Sequence, residues 1–112
     1  MAINPVELRQ HSRVNVDFYA DWDWGPECQY YDKITSLSAG GCFLATKKAL
    51  SPGQQVYLRL STEPGGIISL KGVVRYQLRV TDASPPAGAG VEFIEVPNDT
   101  KRKLEEFLQN HR

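Results

Sequence analysis

With 112 residues the chain has room for one compact domain around one hydrophobic core, and none for a second domain of ordinary size. Hydrophobic residues at 41% and charged residues at 23% give a globular balance that argues against a disordered or collagenous chain. Thirteen Lys and Arg offset thirteen Asp and Glu, which argues against a broad electrostatic grip on long nucleic acid or an anionic membrane, so any anion site must be local.

The opening stretch, MAINPVELRQHSR, has no apolar core behind its charges and no small-residue cleavage site. It predicts neither a signal peptide nor membrane insertion, and points to a cytoplasmic address with a flexible arm over residues 1–13. Strand-like runs then dominate, each bounded by Gly, Pro, Asn or Asp. In residues 14–24, Val14, Val16, Phe18 and Ala20 alternate with Asn15, Asp17 and Tyr19, which buries one face. Gly25 and Pro26 break that run, a second covers residues 28–35, and SLSAGG follows, where paired glycines permit a tight turn. Residues 42–46 form a short third strand, and residues 56–61 a fourth with Val56, Leu58 and Leu60 on one side. A hairpin over residues 63–66 leads to a long strand, 67–80. Residues 83–90, ASPPAGAG, read as a flexible loop before a last strand over 91–96. Asn98 is the expected N-cap of a C-terminal helix over 98–111, whose Thr100, Leu104, Phe107, Leu108 and His111 recur at helical spacing. The expected fold is all-β, a six-stranded antiparallel split barrel over residues 14–112 closed by that helix.

Two arginines four apart, Arg9 and Arg13 in RQHSR, precede the first strand, and the turn Ser36–Gly41 follows one hairpin later. Either feature alone is ordinary: solvated charges on an arm, and a turn that Ser and Gly favour for conformational reasons. In this order, within a strand-rich body ending in an amphipathic helix, they resemble the PilZ domain family of cyclic di-GMP receptors. The family pattern RxxxR followed by [D/N]xSxxG falls on Arg9 and Arg13, then on Ser36, Ser38 and Gly41. Ser36 departs from the usual Asp or Asn. GCFL at 41–44, GVVRY at 72–76, GVEF at 90–93 and KLEEFL at 103–108 extend the resemblance over almost the whole chain.

What the resemblance implies is a binding domain rather than an enzyme, with cyclic di-GMP as ligand, no metal or cofactor, and a downstream protein as partner. The residue chemistry agrees. A guanidinium pairs bidentately with phosphate oxygens or with guanine O6 and N7, and also stacks on the base. A carboxylate or amide at position 36 would accept from guanine N1 and N2, and a serine hydroxyl is a shorter, less directional acceptor. Ser38 is able to donate to a phosphate or to hold the turn, and Gly41 lets backbone and ligand approach. Arg75 and Tyr76 are further candidates by the resemblance. Leu8, ahead of the first arginine, leaves no third guanidinium for a second stacked ligand, so one ligand per chain is expected.

Cys28, Cys42, His11 and His111 have no metal-ligand or disulfide-scaffold spacing, and no nucleophile or phosphate-loop motif is present. Two rival readings remain: a PilZ-like adaptor that has lost ligand affinity through Ser36, and a small barrel binding single-stranded nucleic acid through Trp22, Trp24, Tyr30 and Tyr31. For the rings, division between core and surface is the simpler expectation, although Trp22 and Trp24 share a strand face that offers a partner surface.

Overall fold

Period-two alternation lays six strands side by side in the computed structural model, which describes residues 14–62, 66–81 and 83–110. The strands are β1 (Val14–Asp23), β2 (Tyr30–Leu37), β3 (Gly41–Ala45), β4 (Gln55–Thr62), β5 (Gly66–Arg79) and β6 (Pro86–Ile94). Every pairing is antiparallel, and the order β1-β2-β3-β6-β5-β4 closes into a barrel where β1 pairs with β4. Closure pairs each described strand with a neighbour on both sides.

Inward positions fill the barrel with Trp22, Ile34, Leu37, Leu44, Val56, Leu58, Leu60, Ile68 and Val74, all buried. The indole N–H of Trp22 donates to Asp32 Oδ2 at 2.8 Å, so the largest core side chain keeps its polar atom satisfied. Trp24 sits half-exposed against it in an edge-on contact, with Tyr30 beside both. The two tryptophans therefore do not form one partner surface: Trp22 belongs to the core, and the rings divide between interior and exterior. Cys28 and Cys42 are buried thiols outside any disulfide among the described residues, and burial pushes the Cys28 thiol up from its ordinary value.

Helix α1 (Asn98–Asn110) packs against β5 and adds Leu104, Phe107 and Leu108 to the core. Its first hydrogen bond runs from the Lys101 N–H to the Pro97 carbonyl at 2.8 Å, so Pro97 occupies the cap position expected of Asn98. Glu95 turns the chain from β6 toward the helix in the left-handed region, φ 53°, and Lys71 binds its carboxylate at 2.9 Å. That hydrogen bond raises the Lys71 pKa.

Most strand boundaries move by one or two residues from the sequence reading, and the starts of β2 and β6 have identifiable causes. Cys28 is left-handed, φ 52°, which delays β2 until Tyr30. The expected loop over 83–90 is instead strand from Pro86 onward. Its run of Gly88, Ala89 and Gly90 shows no hydropathy alternation, yet all three pair in register with β3 or β5, because rings on those strands supply the cover that β6 lacks.

Because Leu104 is fully buried where the helix meets the barrel, Leu104→Ala should lower unfolding free energy by about 2–5 kcal/mol in a urea titration. A change below about 1 kcal/mol would show that the helix is not part of the cooperative core.

Candidate functional site

The turn between β2 and β3 is tied by one buried hydroxyl. Ser38, only 3% exposed, accepts from the Gly40 N–H at 3.1 Å and the Gly41 N–H at 3.2 Å, while its own N–H donates to the Gly41 carbonyl at 2.8 Å. Of the two tasks open to Ser38 in the sequence, the geometry shows the second: it holds the turn. Gly40 then ties the turn to β6 by accepting from the Phe93 N–H at 2.9 Å. At Gly41 a Cβ would collide with the Val91 carbonyl oxygen, so glycine is needed there for close approach of β3 to β6.

Register carries this corner across the barrel. Leu37, Cys42, Val91 and Val74 form one cross-strand row and are all buried. The adjacent row, Ser36, Phe43, Gly90 and Tyr76, therefore faces outward. Asn15 of β1 pairs with Ser36 and completes it at the backbone level. Each end of this row coincides with a register irregularity: between Asn15 and Phe18 in β1, between Ile34 and Ser36 in β2, and between Val74 and Tyr76 in β5. Bulges re-aim side chains, and the third turns Arg75 and Tyr76 outward together.

Tyr76, 45% exposed, lies over Gly90, and Phe43 over Gly88; a Cβ at either glycine would strike the ring. The two rings are 6.4 Å apart. Glu92 pairs with Gly41 in the next outward position and forms an ion pair with Arg75. Both side chains remain about half-exposed, at 52% and 56%. The result is an outer strip in which the serine corner, a ring floor and a charged pair beside Gly41 lie together.

Arg9 and Arg13 lie outside the described residues, so their geometry toward the strip is not on view. The first described residue, Val14, pairs with Leu37, one residue from Ser38, so the chain enters the barrel beside the corner. Ser36, Ser38 and Gly41 lie at the β2–β3 turn, with Ser36 in the outward row and Ser38 buried. Phe43, Gly88, Gly90 and Glu92 were not singled out in the sequence. Parity with Leu44 and Val91 would have placed Phe43 and Glu92 outward, but the strip depends on β6, which the small-residue run conceals.

Ser38→Ala removes the acceptor of two turn N–H groups and should cost about 1–3 kcal/mol, read by thermal unfolding, with faster amide exchange at Gly40 and Gly41. Unchanged exchange at both amides would mean the hydroxyl does not organise the turn.

Comparison with known proteins matches this architecture. The family model described as PilZ domain matches residues 7–110. Among solved structures, the chain is similar to the Bacillus subtilis inhibitor of motility MotI/DgrA at TM-score 0.71 and 20% identity, covering 91% of this chain and 50% of that one. It is similar to K. pneumonia MrkH in complex with c-di-GMP at TM-score 0.70 and 23% identity, covering 91% and 51%. It is also similar to the PilZ domain of YcgR from Escherichia coli with c-di-GMP, at TM-score 0.67 and 12% identity, covering 92% and 90%. The chain thus spans about half the length of the first two and nearly all of the third. No curated protein matches it. A family match over nearly the full length, on a six-stranded barrel with a tied Ser-Gly corner, places the chain in the PilZ domain family.

Proposed function

We propose that this chain is a receptor for cyclic di-GMP that holds one ligand per chain between its N-terminal arm, residues 1–13, and the outer strip beginning at the Ser36–Gly41 corner. The observation that carries this reading is the strip itself. An exposed ring, an outward serine and a turn tightened by a buried hydroxyl lie in one register, in a family whose solved neighbours MrkH and YcgR include c-di-GMP complexes. Such a strip is shaped for a flat, polar ligand rather than for bond-making chemistry. In this reading the protein is cytoplasmic and works without a metal, cofactor or catalytic step.

Arg9 and Arg13 supply the charge that the strip lacks. The corner offers hydroxyl and backbone groups, and Arg75, already paired with Glu92, brings a cation to the strip. The two arm arginines pair with the phosphates and a guanine Hoogsteen edge, and the arm orders on binding. The corner is the fixed half, since Ser38 and Gly41 are locked by backbone contacts, and the arm is the moving half. Ordering changes the surface beside β1 and β2, which a downstream protein then reads, with motility, biofilm or secretion control as the output. Ser36, with its shorter acceptor, favours a second reading in which the domain acts as an adaptor by protein contact alone.

Titration calorimetry separates the two. Saturable heat at one ligand per chain supports the receptor, and no heat at ligand concentrations far above those of a typical receptor supports the adaptor. Arg13→Ala should abolish the heat and leave the thermal midpoint of the free protein within about 1 °C, because a solvated charge, as the sequence reading expects at Arg13, contributes little to stability. A large fall in midpoint would make Arg13 structural. Ser36→Asp should tighten binding by roughly tenfold, the effect of one added charge-assisted hydrogen bond. Unchanged affinity would remove position 36 from the ligand contact.

A further inference from the structure

We infer that Glu92 is a specificity-determining residue of this strip, supplying the carboxylate that reads the Watson–Crick edge of a guanine in place of the acceptor missing at Ser36. The inference rests on the cyclic di-GMP reading above and names which residue recognises the base.

Three observations carry it. Glu92 is register-paired with Gly41, where β3 and β6 approach too closely for a Cβ to fit, and this pairing brings Glu92 beside the Ser38 corner. It lies two residues beyond Gly90 on the same face of β6, and the Tyr76 ring covers Gly90, so ring and carboxylate share the outer face of the strip. Its partner is Arg75, brought outward by the β5 bulge, and both groups keep about half of their surface exposed, so neither is used up by the pair. An exposed ion pair of this kind opens at little cost.

The chemistry of the set is complementary to one base. A ring provides the stacking floor, a guanidinium reads O6 and N7, and a carboxylate accepts from N1–H and N2–H₂. Guanine is the base that offers a donor pair on one edge and an acceptor pair on the other. Adenine presents no donor at N1 and no O6, so against it the carboxylate faces a ring acceptor. The same carboxylate would repel a phosphate, which assigns Glu92 to the base rather than to the dinucleotide backbone.

The test is calorimetry on the full chain with cyclic di-GMP and, separately, cyclic di-AMP, for wild type and Glu92→Gln. The exposed position makes the variant neutral for folding, checked by an unchanged thermal midpoint. Expected are cyclic di-GMP binding weakened about tenfold or more and a narrowed gap between the two ligands, since an amide offers one acceptor and adds donors. Equal or tighter cyclic di-GMP binding in Glu92→Gln, with the ligand preference intact, would overturn the assignment and leave the receptor reading standing. No heat for wild type would take down both.

Discussion

One buried hydroxyl fixes the geometry on which the candidate site depends. Ser38 gathers the N–H groups of Gly40 and Gly41, the Gly40 carbonyl binds the Phe93 N–H, and the turn between β2 and β3 is thereby anchored to β6. A turn held only by exposed bonds would exchange among conformations. Anchored on two sides, it sets both where β3 begins and the register that follows from it. From that register come the outward row of Ser36, Phe43, Gly90 and Tyr76 and the inward row of Leu37, Cys42, Val91 and Val74. A one-residue slip would exchange the two rows, burying a tyrosine and exposing the core.

The same rows explain how a well-packed barrel is able to present a polar surface. Inward positions carry the stability, so outward positions are free to differ. Glycines on β6 lower the floor of the strip, and rings from β3 and β5 lie across it. Bulges in β1, β2 and β5 fall along this row and tilt the side chains that border it. Elsewhere on the outer surface, Tyr19 of β1 and Tyr31 of β2 stack at 5.0 Å with Lys33 over Tyr19.

Much of this was legible in the sequence, for stated physical reasons. Val56, Leu58 and Leu60 alternate because β4 has one dry face, and Leu104, Phe107 and Leu108 recur because the helix buries one stripe. The corner was legible because few residues other than Ser and Gly satisfy so tight a turn. The start of β6 was not. Strand reading relies on side chains, and Gly88, Ala89 and Gly90 have almost none; their strand character comes from the neighbours Phe43, Tyr76 and Leu78. Glu92 escaped notice for the same reason, since its place in the strip depends on pairing with Gly41. Bulges likewise leave no local signature, and without the one in β5 the outward pairing of Arg75 with Tyr76 could not be inferred.

Cyclic di-GMP is proposed to seat on the outer strip between the Ser38 corner and the Tyr76 ring. Backbone amide NMR of the full chain, titrated with the ligand, tests it residue by residue. Saturable shifts are expected at residues 36–43, at Arg75 and Tyr76, and at residues 90–92, with little change at Tyr19 and Tyr31. Shifts confined to the Tyr19 and Tyr31 face, with the strip silent at saturation, would contradict that seating.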